Sequence, residues 1–363
     1  MKITVKETKI ICENPYNPHH NYFAWPTVAR LRDGRLAMVA SGFRIRHVCP
    51  FGKVVMCISE DEGKTWTRPT VVMDTPLDDR DAGILPFGEN SVMITSFNNT
   101  GKMQKKWNNL TDENGNLNPR SLYIRSYLEC VDYEKAEERY LGSTMIFSHD
   151  GAKTFGEVMR VPVTSPHGPL LMPDGSILYI GRTFSCDDTK QESDCIESYR
   201  IMTDGSYEKL GEIENISPDL LSCEPHAIAL QDGTILVHIR VQNGIFTIFQ
   251  SESHDGGRTF TKPHQILSDQ GGAPAHLIQT MDGTLISVYG YREKPYGIKA
   301  MFSTNNGHTW DTGHDLYING ISSDLGYPAS VQLENGDILT VFYAKTAADS
   351  PAVIMQTVWK FEK

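Results

Sequence analysis

Six short segments of this sequence carry side chains suited to acid, base and anion-binding chemistry, and each lies eight or nine residues before a glycine in a turn motif. They are Phe23–Pro26, Asp78–Asp81, Pro166–Pro169, Cys223–His226, Ala273–His276 and Gly326–Pro328. A second polar set follows the same glycines after seven to ten residues: Arg44, Asn98, Arg182, Arg240, Tyr291, Arg292 and Tyr343. If the chain reverses at each glycine, both sets meet at one edge. The sequence therefore predicts a concave site rich in Arg, His, Glu, Asp and Tyr.

The arginines of this predicted site indicate the charge of its ligand. The chain has a formal net charge of −11, so it lacks the clustered cationic charge that nucleic acid or an anionic membrane requires. A local group of arginines in an acidic protein instead favours a small anionic ligand, because the guanidinium group presents a planar fork to a carboxylate. We expect Arg44, Arg80, Arg240 and Arg292 to bind this ligand, with Asp79 as a further polar contact.

Histidine and aromatic side chains complete the predicted site. His167 is expected to contact the ligand, and Trp25 and Tyr291 either stack on a sugar ring or fill the centre of the fold. His167, His226, His276 and Glu224 could in principle hold a metal ion, but they are far apart in the sequence and form no ligand-spacing motif. We therefore expect neither a metal nor another cofactor.

The elements that must position these residues repeat six times. Hairpin turns occur at Asp33-Gly34, Gly88-Glu89-Asn90, Asp174-Gly175, Asp232-Gly233, Asp282-Gly283 and Asn335-Gly336, 50 to 58 residues apart except for an interval of 87. This spacing fits one four-stranded antiparallel blade per repeat. The sequence predicts an all-β, six-bladed β-propeller over residues 1–363 as a single domain. Because the ring needs a clasp, we expect the strand around 353–358 to pair near the N-terminal residues.

A second repeat follows four of these hairpins, at 59–66, 148–155, 253–260 and 303–310. Its pattern, S-x-D-x-G-x-T-W or F, has Asp and Gly for a tight turn, Ser and Thr to satisfy the turn backbone, and an aromatic residue to pack into the blade. The pattern resembles the Asp box, or BNR repeat, of the sialidase superfamily, in particular the neuraminidases of glycoside hydrolase family 33. The boxes themselves are expected to be structural.

The resemblance implies roles for several residues. In sialidases a tyrosine opening the last blade is the nucleophile, a glutamate opening the fourth blade is its base, and three arginines bind the substrate carboxylate. Tyr327 matches the tyrosine, Glu224 matches the glutamate, and Arg240 and Arg292 match two of the arginines. A phenol with a pKa near 10 is a poor nucleophile, so a carboxylate that accepts its proton fits this chemistry.

Two departures from the family pattern affect the rest of the site. The first arginine belongs to a Phe-Arg-Ile-Pro motif, which reads Phe23-Ala24-Trp25-Pro26 here, so this arginine is absent. The acid/base aspartate is also absent from its loop, 44–53, where His47 stands at the expected place. His47 is therefore either the general acid or a sugar-binding residue. Asp79 and Asp81, which flank Arg80, either supply the missing acid or form an ion pair that orders the loop.

The long interval between the second and third turns carries an insertion, roughly 98–142, with a helix predicted around 133–139. A loop of this length is either a lid or interaction surface or an excursion without consequence. The N-terminus lacks the apolar segment of a secretory signal, and the seven cysteines form no CxxC pair. Both features favour a cytoplasmic protein with free thiols.

These observations predict a retaining exo-glycosidase that hydrolyses a terminal acidic sugar from a glycan, with Tyr327 as nucleophile and Glu224 as its base. One alternative is a polysaccharide lyase, in which His47 or Tyr327 removes the proton beside a uronate carboxylate held by Arg240 and Arg292. Another is a glycan-binding propeller without catalytic activity. The sequence leaves the oligomeric state open.

Overall fold

The protein is a six-bladed β-propeller, described from a computed structural model that covers residues 1–111, 113–183, 195–268 and 271–363. The strands in chain order are β1 Lys2–Cys12, β2 Tyr22–Arg30, β3 Leu36–Arg44, β4 Lys53–Ser59, β5 Thr70–Met73, β6 Arg80–Phe87, β7 Ser91–Phe97, β8 Ser143–Ser148, β9 Met159–Arg160, β10 Leu170–Leu171, β11 Ile177–Arg182, β12 Ile196–Ile201, β13 Tyr207–Ile213, β14 Leu221–Ala229, β15 Ile235–Gln242, β16 Thr247–Ser253, β17 His264–Gln265, β18 Gly272–Gln279, β19 Leu285–Tyr291, β20 Gly297–Ser303, β21 Asp311–Tyr317, β22 Gly326–Gln332, β23 Ile338–Lys345 and β24 Ala352–Glu362.

Each blade is a sheet of four antiparallel strands. Strands β2–β5, β6–β9, β10–β13, β14–β17 and β18–β21 form blades one to five, and β22, β23, β24 and β1 form blade six. The N-terminal β1 pairs with the C-terminal β24, with Thr8 opposite Thr357. The predicted six-bladed fold and its clasp are both confirmed.

Apolar side chains of the inner strands pack between neighbouring blades. Between blades six and one, Leu36, Met38 and Val55 meet Leu339 and Val341, and all five are buried. These inner strands are buried on both faces, which explains the runs of apolar residues on either side of each turn. The core therefore forms a ring around the propeller axis and leaves the axis itself to polar side chains.

The Asp boxes tie each outer hairpin to the preceding blade. In the first box the Asp61 carboxylate accepts hydrogen bonds from the backbone N–H and the hydroxyl of Thr65, at 2.8 and 2.7 Å. The Trp66 indole then donates to Gln356 of blade six at 2.8 Å, and Trp310 in the fourth box donates to Gln250 of blade four at the same distance. The boxes are thus structural, as the sequence predicts.

A two-against-one β-bulge near the start of the inner strand recurs in five of the blades. In blade four, Cys223 lies opposite Arg240 and His226 opposite His238, so Glu224 and Pro225 together face a single residue. The first bulge residue has positive φ in blades one, two, four and six: Trp25 (56°), Asp81 (40°), Glu224 (46°) and Tyr327 (48°). Because a bulge re-aims the side chain it carries, these four residues are turned out of the regular alternation.

The insertion lies between β7 and β8 and forms three helices, α1 Gly101–Trp107, α2 Pro119–Glu129 and α3 Tyr133–Tyr140. Thr100, Asn118 and Asp132 cap their N-termini by accepting backbone N–H groups. Only α3 was predicted, because the polar segment before it has no clear apolar periodicity. None of the described helices has the length and apolar run needed to cross a lipid bilayer.

The insertion packs on the loop that carries His47. Phe51 of this loop stacks on Tyr123 with ring centroids 5.3 Å apart, and Arg46 donates to Asn108 at 2.7 Å. In addition, Gln104 of α1 donates to Asp78 at 2.9 Å. The insertion therefore supports one side of the propeller mouth instead of extending freely from the surface.

Candidate active site

Tyr327, Glu224 and Arg240 form a hydrogen-bonded group at the mouth of the propeller. The Tyr327 hydroxyl donates to Glu224 Oε1 at 2.6 Å. Arg240 Nη1 donates to Glu224 Oε2 at 2.6 Å and to the Tyr327 hydroxyl oxygen at 3.2 Å. The bulges of β14 and β22 provide the carboxylate and the phenol, while the arginine comes from the end of β15. The structure thus brings together three residues that are far apart in the sequence.

The electrostatics of this group keep the phenol protonated at rest. Burial, and secondarily the negative charge of Glu224, raise the pKa of Tyr327 well above its usual value. Burial alone would lower the pKa of Arg240, but the adjacent Glu224 and Tyr327 more than offset it and raise it. The phenol is therefore neutral until a reaction draws its proton onto Glu224, which already accepts its hydrogen bond.

Arg292 lies beside the same tyrosine. Its guanidinium carbon is 5.6 Å from the Tyr327 ring centroid, and its Nη2 donates to the Tyr343 hydroxyl at 3.3 Å. The guanidinium carbons of Arg240 and Arg292 lie 4.7 and 5.9 Å from the centroid of one shared ring, Phe246. Two cationic forks therefore flank Tyr327, which is the arrangement a bound carboxylate requires.

Trp25 is buried at the centre of the other side of the mouth. It is 1% exposed, and the guanidinium carbons of Arg80 and Arg44 lie 4.2 and 4.9 Å from its ring centroid. Its ring is also 6.4 Å from that of Tyr327. Trp25 was predicted either to stack on a sugar ring or to fill the centre of the fold. Its burial favours the second role, because little of its surface is open to a sugar.

Arg44 and Asp79, both predicted ligand contacts, have no exposed side-chain surface. Arg44 makes a bidentate ion pair with Asp78 at 2.6 and 3.0 Å. Asp79 accepts the backbone N–H and the hydroxyl of Thr75 at 2.7 and 2.8 Å, and burial raises its pKa to about 7. Both residues are committed to partners beneath the mouth, so a ligand in the mouth does not reach them without rearrangement.

His167 lies deeper on the propeller axis, in contact with His226 and His276. The ring centroids of the three are 4.2 to 5.6 Å apart. Burial holds the pKa of each below its usual value, that of His226 at about 3. The described residues include no group of three or more His, Cys, Asp or Glu side chains placed to hold a metal ion.

Arg80 is the predicted arginine that reaches the mouth from blade two. Its Nη1 donates to the His47 carbonyl at 3.1 Å and lies 3.5 Å from Asp78, and its side chain is 11% exposed. Because it stacks on Trp25, which directly follows Ala24, the residue at the motif position of the missing arginine, it carries a positive charge close to that position.

His47 contacts two residues that sequence reasoning missed. Its Nδ1 lies 3.1 Å from Asp324 and 3.0 Å from the Tyr22 hydroxyl, which itself donates to Asp324 at 2.9 Å. Burial lowers the pKa of His47, and Asp324 only partly opposes this effect. Asp324 lies outside every repeat, three residues before Tyr327, and its position before the last inner strand is the one signal that indicates it.

Asp81 lines a small cavity next to Glu224. The cavity has a volume of about 110 Å³, and Arg182 and Cys223 also line it. Asp81 is 5% exposed, and burial, followed by the charge of Glu224, raises the pKa of its carboxyl group to about 7. Arg80, Arg44 and Arg240 oppose this increase.

Comparison with known proteins gives the family and the fold of the chain. The chain belongs to the family described as BNR repeat-like domain, whose profile matches residues 127–340. No curated protein matches the chain in a direct sequence search.

Several solved structures share the whole fold at low sequence identity. A protein of unknown function from Dyadobacter fermentans is 19% identical with a TM-score of 0.77, and the match covers 99% of both chains. The NanB sialidase of Streptococcus pneumoniae is 14% identical with a TM-score of 0.68, over 96% of this chain and 70% of that one. The intramolecular trans-sialidase of Ruminococcus gnavus is 12% identical with a TM-score of 0.64, over 95% of both chains. The chain therefore has the propeller fold of sialidases.

Proposed function

We propose that this protein is a sialidase-like retaining exo-glycosidase that removes a terminal acidic sugar from a glycan. The observation that carries the proposal is the contact of Tyr327 with Glu224, with Arg240 bound to both. A phenol that donates to a carboxylate is an activated nucleophile. A neutral phenol also approaches an anomeric carbon bearing a carboxylate without the repulsion that an aspartate or glutamate nucleophile would meet.

Substrate binding begins with the carboxylate of the sugar. Arg240 and Arg292 flank Tyr327 and supply the guanidinium groups that bind it, and Arg80 adds positive charge from the side of Trp25. Only part of the hydrogen-bonding capacity of Arg292 is used, since Nε donates to the Leu325 carbonyl and Nη2 to Tyr343. This clamp would hold the anomeric carbon against the Tyr327 oxygen.

The first chemical step forms a bond between Tyr327 Oη and the anomeric carbon. The phenolic proton moves to Glu224, and the bond from the anomeric carbon to the leaving oxygen breaks. Water then attacks the same carbon from the vacated side and gives one proton to the residue that protonated the leaving oxygen. The bond from this carbon to Tyr327 Oη breaks, and Tyr327 recovers its proton from Glu224. Two displacements at one carbon retain its configuration. The leaving oxygen needs a proton, for which His47 is the residue at the family position.

A fluorosugar trap tests this function. A probe with a carboxylate and a fluoride leaving group at the anomeric carbon, and fluorine on the adjacent carbon, should leave a covalent adduct on the peptide containing Tyr327, identified by mass spectrometry. A panel of aryl glycosides of acidic sugars should identify the substrate. Hydrolysis with inversion, or hydrolysis without any adduct, would contradict a tyrosine nucleophile.

A polysaccharide lyase is the second candidate, favoured by the contact of His47 with Asp324. A neutral imidazole oriented by a carboxylate can remove the proton beside a uronate carboxylate. Uronate oligosaccharides belong in the same screen, because an unsaturated product absorbs in the ultraviolet. Appearance of this absorbance, with no adduct on Tyr327, would favour the lyase over the hydrolase.

A further inference from the structure

Asp81 occupies in blade two the same bulge position that Tyr327 and Glu224 occupy in blades six and four. Arg80 pairs with Phe97 and Gly83 pairs with Thr95, so Asp81 and Ala82 face a single residue. The φ angles of Asp81, Glu224 and Tyr327 fall between 40° and 48°. The same type of β-bulge therefore turns these three side chains toward the propeller axis.

The surroundings of Asp81 differ from those of the other carboxylates of blade two. Asp78 is bound to Arg44, and Asp79 is bound to Thr75. Within the described part of the chain, the Asp81 carboxyl group has no hydrogen-bond partner, although it is 5% exposed and faces the cavity it shares with Glu224. A buried carboxyl group without a partner is costly to maintain, which indicates that its partner is a ligand.

Resting on the proposed function, we propose that Asp81, and not His47, is the catalytic residue that protonates the leaving oxygen and later removes a proton from the attacking water. Asp81 shares its cavity with Glu224, which accepts the hydrogen bond of the nucleophile Tyr327. The titratable and charged groups that face it are Arg44, Arg80, Arg182, Cys223, Glu224, Arg240, Tyr327 and Tyr343.

The protonation states support this division of roles. Burial, and then Glu224, raise the pKa of Asp81 to about 7, so its carboxyl group still carries a proton near neutral pH, as a general acid must. Burial lowers the pKa of His47. Because Tyr22 donates its own proton to Asp324, the Nδ1 of His47 keeps a proton to contact this carboxylate. A neutral His47 then has no proton on Nε2 to give.

The proton balance of the reaction closes with Asp81. In the first step the Asp81 proton moves to the glycosidic oxygen, which leaves with the electron pair of the broken bond, while Tyr327 bonds to the anomeric carbon and gives its proton to Glu224. In the second step water attacks this carbon and passes one proton to the Asp81 carboxylate. The bond to Tyr327 breaks, and Glu224 returns its proton to the phenol.

The experiment compares two substrates that share the sugar and differ in the leaving group, one an activated aryl glycoside and the other an alkyl glycoside. An aryl oxide leaves without protonation, whereas an alkyl oxygen requires it. Asp81→Asn should therefore lower kcat/KM for the alkyl glycoside by about 10²-fold or more and that for the aryl glycoside far less. The fall in kcat/KM on the basic side of the wild-type pH profile should also disappear in Asp81→Asn. His47→Gln is the matched control and should affect both substrates equally.

Asparagine tolerates positive φ, so Asp81→Asn should retain the bulge, and added formate should restore part of the activity of Asp81→Ala. Equal losses on both substrates in Asp81→Asn, or a leaving-group effect confined to His47→Gln, would overturn the assignment of Asp81. The proposed function is judged separately in the wild-type protein by the Tyr327 adduct. An adduct together with full alkyl activity in Asp81→Asn rejects only the role of Asp81.

Discussion

The two sides of the propeller mouth use the same kinds of charged residue in opposite ways. On the side of blades four to six, Arg240 and Glu224 pair with each other and with Tyr327, yet their side chains remain 11% and 22% exposed. On the side of blades one and two, Arg44 and Asp78 pair with no exposed surface. An arginine at the end of a strand is therefore accessible from the mouth or enclosed in the fold according to how its partners are packed.

The helical insertion accounts for part of this difference. Gln104 of α1 reaches Asp78, and the rings of α2 pack on Phe51 in the His47 loop. These contacts cover the blade-two side and bury its ion pair, whereas no element of the insertion contacts Glu224 in the described structure. The departures from the sialidase pattern, Ala24 and His47, lie on the side of blade one. The residues that match the pattern lie on the side of blades four to six.

The sharpest test of the open side is the pair Tyr327 and Glu224. Tyr327→Phe and Glu224→Gln should each lower turnover on the active glycoside by about 10³-fold or more without unfolding the protein, because each change keeps volume and removes the reactive group. Losses in the double variant should not multiply, since both residues serve one step. Steady-state kinetics of the four proteins measure this. Tyr343→Phe is the control, a buried tyrosine bound to Arg292 instead, and should lose far less. If the two losses of activity multiply in the double variant, Tyr327 and Glu224 act independently and not in one step.

Replacing one arginine on each side should separate binding from stability. Arg44→Met removes the bidentate partner of the buried Asp78 and leaves it, in the described structure, only Gln104 and, at 3.5 Å, Arg80, so we expect the free energy of unfolding to fall by about 3 kcal/mol. Arg240→Met should instead weaken binding of a carboxylated sugar by roughly 100-fold. Urea denaturation and calorimetric titration measure the two quantities. If Arg44→Met retains its stability and loses ligand affinity, the covered side is part of the binding site after all.

The pH dependence of stability should reveal Asp79 as a support residue. Its pKa is about 7 in the folded protein and about 3.9 when unfolded, so the folded state binds the extra proton. The stabilisation is complete below about pH 4 and is lost as the pH rises to about 7, with a slope of at most ~1.4 kcal/mol per pH unit. Asp79→Asn should remove the part of the slope that Asp79 contributes and leave that of Asp81, whose pKa is also about 7, as measured by urea denaturation from pH 4 to 8. An unchanged slope would show that Asp79 is ionised throughout.

The smallest expected effect concerns the box that joins blades one and six. Trp66→Phe keeps the aromatic packing and leaves the Gln356 side-chain oxygen without the indole donor, so the free energy of unfolding should fall by about 1 kcal/mol. Glycosidase activity should stay the same, because the box lies on an outer hairpin. A thermal melt and an activity assay check both statements. A large loss of activity would connect the boxes to the mouth.

Much of the fold could be predicted from the sequence because it repeats. Turn motifs occur in all six repeats and Asp boxes in four of them, so the blades can be counted from the turns. The residues on the side of blades four to six then follow from their fixed distances to those turns. Contacts between loops have no such period. Asp324 and Tyr22 join His47 across 277 and 25 residues, and α1 and α2 are polar segments whose packing on the mouth is set by tertiary contacts. Arg44 is fully buried, and its strand-end position in the sequence does not reveal this burial.

The pairing of β1 with β24 has a consequence for synthesis of the chain. Strand β1 is complete at Cys12, but its partner begins only at Ala352. At ~5–20 residues per second the ribosome needs some tens of seconds to add the residues between them. During that time β1 has no partner strand, and blade six stays incomplete. Strand β1 is thus synthesised long before it can pair with β24, and a chaperone that shields Lys2–Cys12 during translation would protect the ring until it can close.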